Sequence, residues 1–350
     1  MSVVADLPTP TAASPARTRH RDRRRSVVVG WVLAVATFLV CCVSVSVGDF
    51  PVPLLDVVPA ALGLGDPGLT FIVQDLRLPR VLGGVLVGAA FGISGAVFQS
   101  LARNPLASPD IIGITAGASA AAVLLIVVTS ATATTIAVGA FAGATLTAAA
   151  VYLLAWRSGL SPYRLVLVGI GLGALLTAVT AYLLTRSDIY DARRAMVWLT
   201  GSLNATTWQQ LRPVALGLVV LVPVVLVLAE HLRLMQLGDD TATGLGVPVE
   251  RARLGLVAAA VGLAGLATAA AGPIAFVAFV SAPIARRLVR QPLTIVPAAL
   301  TGSLLVVTAD LAGRRLFSPT ELPVGVLTGL IGAPYLLWLL ARANRIGAGG

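Results

Sequence analysis

Few side chains in this 350-residue chain could do covalent or metal chemistry. His20 and His231 are the only histidines, and Cys41 and Cys42 sit side by side inside an apolar run. Neighbouring cysteines are poorly placed for a stabilising disulfide, and no metal-ligand spacing surrounds them, so they read as small apolar packers. No serine–histidine–acid set falls on one face, no carboxylates pair at a common depth, and no H-E-x-x-H motif occurs. All 25 basic residues are arginine. A G-x-x-x-x-G-K-[ST] phosphate loop needs a lysine to reach the terminal phosphates, so the chain carries no such site. It is expected to be no enzyme and to bind no cofactor or metal of its own. What it offers instead is charge at the ends of apolar runs. Arg77 and Arg80 flank Pro79, Asp310 stands four residues before Arg314, and Asp239 and Asp240 are adjacent.

Those runs define the class. The chain is 57% hydrophobic and 11% charged, with a mean hydropathy of +0.93. A soluble domain of this length needs more polar surface than that. Apolar stretches of about 18–25 residues, long enough for a hydrocarbon core about 30 Å thick, recur from end to end. They predict an all-α polytopic membrane protein of about ten helices, near 26–48, 77–100, 111–130, 132–156, 164–185, 213–230, 254–272, 274–290, 294–313 and 323–341. Residues 1–25 are expected to be a disordered tail, 26–341 one transmembrane domain and 342–350 a second tail.

Charge orients the helices. Six arginines between positions 17 and 25 place the N-terminal tail in the cytosol, and an even helix count returns the C-terminus there. Most arginines then fall on inside loops, leaving Arg77, Arg80, Arg186, Arg193, Arg194, Arg212, Arg314 and Arg315 outside. The net charge of +10 does not imply nucleic acid, because the arginines are scattered at helix ends rather than gathered on one face. Membrane lipid is the expected surroundings. Few ionisable residues fall at helix centres, which disfavours a stand-alone proton- or ion-coupled carrier. Small residues at four-residue spacing, such as Gly84, Gly88 and Gly92, predict close helix packing.

Four segments interrupt the apolar pattern. Residues 103–120 hold two prolines and an Asn104–Pro105 turn signal, and 159–165 make a similar inside turn. The longest inside segment, 232–253, has Asp239, Asp240 and Thr241 suited to a helix start, and Gly244 and Gly246 suited to its end. It predicts a helix too short to span, presented at the cytosolic surface as a loop closure or a docking knob. In 309–325, Asp310 and Arg314 suit a helical ion pair, and Glu321 with Pro323 suits the start of the last helix.

The motifs "RLPR", "GISGAVFQSLARNPLASPDIIGITAGA", "LSPYRLVLVGIGLG", "WLTGSL", "LGDDTATGLGV", "GPIAFVAFVSAPIARRL", "ELPVG" and "IGAPYLLWLL" occur in order between about residues 70 and 341. The chain thereby resembles the membrane subunits of ABC importers of the iron-siderophore and cobalamin permease (FecCD) family. One departure is Ile284 after Pro283, where the family usually has histidine. The resemblance implies a type II importer permease working as a dimer with a second copy or a paralogue. Cytosolic ATPase subunits would power it, and an extracytoplasmic substrate-binding protein would feed it. It further implies a bacterial plasma membrane and a ferric siderophore cargo, with cobalamin or haem as the alternative.

Site residues follow by the same resemblance. Arg77, Arg80 and Arg314 match positions that grip the binding protein. Leu237, Gly238, Asp239, Asp240, Leu245 and Gly246 match the segment that sits in the ATPase groove. Asn104, Leu106, Pro162 and Tyr163 match the cytosolic gate.

Overall fold

The computed structural model describes residues 15–347, apart from 49, 130, 157–161, 205 and 318. Every regular element there is helical: α1 (Pro15–Ser46), α2 (Leu54–Ala61), α3 (Pro67–Phe71), a π-helical turn (Ile72–Arg77), α4 (Leu78–Leu101), α5 (Ile114–Thr129), α6 (Ala133–Ala155), α7 (Pro162–Arg186), α8 (Ile189–Leu199), α9 (Trp208–Met235), α10 (Asp239–Gly244), α11 (Val249–Ala271), α12 (Val277–Val289), α13 (Ile295–Arg315) and α14 (Val324–Gly347). The expected terminal tails lie partly outside the described residues. Within them, α1 starts at Pro15 rather than near 26, and α14 continues past 341.

All ten expected helices form, but not with equal reach. Seven helical stretches among the described residues are long and apolar enough to cross a membrane. The apolar parts of α5 (Ile114–Thr129) and α14 (Val324–Leu339) are shorter. The 13 residues of α12 rise only about 20 Å, less than the hydrocarbon thickness. Positive φ angles break the chain at Gly272 (72°) and Phe276 (65°), which delays the start of α12. Gly201 (φ 67°) has to be glycine for a second reason: a Cβ there would lie 2.4 Å from the Pro273 carbonyl oxygen.

The fourth helix begins earlier than its proline suggested. The sequence predicted a helix over 77–100, around Pro79, yet one helical stretch runs from Pro67 to Leu101. Pro79 has no N–H to bond and its ring crowds the carbonyl four residues back. The wider π turn at Ile72–Arg77 takes up the mismatch, with Leu78 N–H bonding to Val73.

Successive long helices alternate in direction. We name the end holding the α4 N-terminus the head and the other end the foot. The last turn of α1 meets the start of α4 at the head, while Arg25 Nε donates to Leu288 O at the foot. Most of α4 is buried, wrapped by α11, α12 and α13. Its glycines set the spacing: a Cβ on Gly88 would lie 2.4 Å from Gly302 O, and one on Gly92 would lie 2.3 Å from Ala298 O. Backbones that close gain dispersion where lipid offers no hydrophobic driving force. Three short elements absent from the sequence expectations, α2, α3 and α8, all lie at the head.

Candidate functional site

Arg77, Arg80 and Arg314 converge at the head around a cavity of about 380 Å³, which Phe50, Leu76, Arg315 and Glu321 also line. Their roles within the fold differ. Arg77 is buried, and its guanidinium donates to the carbonyls of Val45 (2.6 Å), Ser46 (3.2 Å) and Phe50. It ties the end of α1 to the start of α4. Gly48 makes room for this, since a Cβ there would lie 2.1 Å from Arg77 Nη2.

Arg80 is engaged with acids. Its Nε donates to Asp310 Oδ1 at 3.0 Å and Oδ2 at 3.2 Å, and Nη2 pairs with Oδ1 at 3.0 Å. Nη1 reaches Glu321 Oε2 at 3.1 Å and Asn204 Oδ1 at 3.4 Å. Such fork-shaped pairing combines energy with a fixed geometry. Arg314 shares the same carboxylate, with Nε 3.2 Å from Asp310 Oδ2, and also donates to Ser44 Oγ. The expected Asp310–Arg314 pair therefore forms, but as one limb of a network that joins α1, α4 and α13. Glu321, expected to serve the start of α14, points to Arg80 instead. Sequence reasoning missed Asn204 and Ser44, which carry no motif signal of their own.

At the foot, the short helix predicted from Asp239 and Gly244 is α10. Gly238 precedes it with φ 116° and Gly246 follows with φ 84°, both in the left-handed region that side chains resist. Ala242 is buried against Met235, Val247 and Val249, and this seats the helix. Asp239 braces it from both sides: Oδ1 accepts from Arg103 at 2.9 Å and Oδ2 from Arg253 at 2.6 Å. Arg253 also reaches Glu250 at 3.1 Å. Neither arginine stood out in the sequence, because neither lies near Asp239 along the helix face. Leu237 and Leu245 are 65% and 58% exposed, and Asp240 is exposed beside them. The six predicted residues therefore divide into two glycines that shape the turns, one internal brace, and three outward side chains.

The four predicted gate residues lie on two elements of the foot. Asn104 sits in the α4–α5 turn, where its Oδ1 accepts from Leu106 N–H at 2.9 Å. Pro162 and the exposed Tyr163 begin α7, just after residues outside the described set. The glycine contact that joins these two elements lies deeper, where Gly113 (φ 83°) packs on Gly169 and Gly173. In the same turn, burial pushes the Asp110 carboxyl up to about 6, and a hydrogen bond with Thr115 works against that rise. Among the described residues no cluster of histidine, cysteine or acid could hold a metal ion.

Residues 33–342 match the model of the FecCD transport family. The chain is 42% identical over 289 residues to the ferric enterobactin transport system permease protein FepG of Escherichia coli (strain K12), covering 82% of this chain and 87% of that one. It is 43% identical over 320 residues to the achromobactin transport system permease protein CbrC of Dickeya dadantii (strain 3937), covering 89% and 92%. A solved ABC transporter of metal-chelate type, in an inward-facing conformation, superposes with a TM-score of 0.81 at 26% identity over 90% of this chain and 99% of that one. With the family's model spanning nearly the whole chain and the fold matching a solved transporter of that type, the chain belongs to the FecCD transport family.

Proposed function

We propose that this chain is the permease of an ABC importer that carries a ferric siderophore across the bacterial plasma membrane, with the foot and both termini in the cytosol. The observation that carries this reading is α10: a six-residue helix, locked by two arginines, that presents Leu237, Asp240 and Leu245 outward. Exposed leucines on a rigid knob suit a groove on a partner, and a chain without a nucleotide motif needs an ATPase there. The relatives' names support the cargo class, since FepG is a ferric enterobactin permease and FhuG of Bacillus subtilis (strain 168), 37% identical over 328 residues, is an iron(3+)-hydroxamate import permease.

The head supports docking of an acidic substrate-binding protein. Arg77 and Arg80 have internal partners, so their part is to build the cavity wall, together with Arg314 and Arg315, and to keep it basic. Complementary charge of this kind favours encounter and register more than raw affinity. Asn104 and Leu106, with Pro162 and Tyr163, would close the cytosolic side across a dimer.

The test is reconstitution in vesicles with the partner ATPase and binding protein. ATP-dependent uptake of a radiolabelled ferric siderophore is expected. Uptake by the chain alone, without ATP, would overturn the reading. Arg315→Glu at the cavity wall is expected to weaken binding-protein docking while ATPase assembly persists.

A further inference from the structure

At the head, separated from the arginine cavity by Asn204, lie two adjoining cavities of about 630 and 400 Å³. They share walls at Ala133, Asn204, Gln210, Ala269 and Ala270, so they form one crevice. Its two parts differ in chemistry. The larger part runs between α6, α9 and α11 past Val138, Phe141, Val214 and Leu266. The smaller part holds Arg194 of α8 with Ser202 and Thr206. The Ala131 carbonyl accepts from Arg194 Nη2 at 2.6 Å and fixes the guanidinium beside the crevice.

Depth and opening follow from the helices. Ala133 and Gln210 stand in the first turns of α6 and α9, so the polar part lies at the membrane boundary. From Ala133 to Phe141 the wall descends about 12 Å along α6, most of one leaflet of a core about 30 Å thick. Val138, Leu216 and Val219 on the flanking helices are 64–70% exposed in a segment that spans the membrane, so the slot opens toward lipid tails. Small residues, Ala137, Ala269 and Ala270, keep it from closing.

We propose that this crevice binds one phospholipid of the leaflet at the head, its phosphate beside Arg194 and an acyl chain between α6, α9 and α11. Two-zone chemistry selects that occupant: a fixed cation and amides at the boundary, then an apolar slot that opens sideways. A water-soluble cargo would leave the slot unmatched, and a tail without a phosphate would leave the Arg194 charge with only the neutral Ala131 carbonyl.

The experiment is native mass spectrometry of the assembled transporter, extracted from nanodiscs that contain equal phosphatidylglycerol and phosphatidylcholine. One phospholipid per chain is expected to survive. Filling the slot with Ala137→Trp, or more gently with Ala270→Leu, is expected to cut retention about tenfold, the loss from roughly two methylenes leaving an apolar wall. Arg194→Gln is expected to keep total retention and lower the preference for phosphatidylglycerol about fivefold. Should Ala137→Trp fail to assemble, Ala270→Leu decides. Unchanged retention in the filled variant, or a Val138→Cys cross-link to a second copy, overturns the proposal.

Discussion

Each end of the bundle is organised by one aspartate between two arginines, and the two arrangements have different consequences. At the head, Asp310 holds Arg80 and Arg314, with side chains 5%, 13% and 10% exposed. At the foot, Asp239 holds Arg103 and Arg253; the carboxylate is 43% and Arg103 47% exposed, while Arg253 is 5% exposed but keeps Glu250 as a second acid. Removing one member of a buried set strands charge in a low dielectric, which costs far more than the set contributes. An exposed pair is screened and is worth about 0–1 kcal/mol. The head triad is therefore part of what holds α1, α4 and α13 together. The foot triad fixes where a small helix points, at little cost to the fold if it is lost.

Four measurements test that contrast. Asp310→Ala is expected to cost about 3–5 kcal/mol by leaving Arg80 and Arg314 without their shared acid, read as loss of monodisperse protein or a lowered Tm. A tolerated Asp310→Ala would erase the distinction between the ends. The second tests the one acid in the α4–α5 turn of the foot that resists charging. Because the folded-state pKa of Asp110 is raised from 3.8 to about 6, the folded state binds the proton more tightly than the unfolded one. Stability from this group is full below the unfolded value and declines as pH rises through about 6. Asp110→Asn is then expected to stabilise the protein at pH 8 by up to about 3 kcal/mol, with the gain vanishing below pH 4 in thermal melts.

The remaining two concern α10. Asp239→Asn is expected to change stability by no more than about 1 kcal/mol, yet to lower partner-stimulated ATP hydrolysis by loosening the helix. Normal stimulation in that variant would show that the brace is not needed for coupling. Leu237→Asp with Leu245→Asp is expected to leave stability within about 0.5 kcal/mol, since both side chains face outward, while ATPase co-purification is lost.

How much of this was legible depended on distance along the chain. The boundaries of α10 follow from Asp239, Thr241 and the flanking glycines, which lie within a few residues of one another. The Asp310–Arg314 contact likewise follows from its four-residue spacing. By contrast, Arg80 meets Asp310 across 230 positions, and Arg103 meets Asp239 across 136. Neither spacing carries any local periodicity. Arg77 shows the limit most clearly: the resemblance implied a grip on an outside partner, but its guanidinium lies on the carbonyls of α1. Motif resemblance had marked the arginines Arg77, Arg80 and Arg314 and the aspartates Asp239 and Asp240 without saying which would be occupied from within.

Hydropathy, helix period and the lack of lysine are local or compositional properties, and from them a membrane-spanning helical chain was already legible. Three outcomes needed the packed chain: α12 is a short helix, Arg77 and Asp239 are internal ties, and Arg194 stands over an apolar crevice. The first follows from the positive φ angles at Gly272 and Phe276, and the others from which carbonyl, carboxylate or cavity lies within reach of a side chain once segments far apart in the chain have packed.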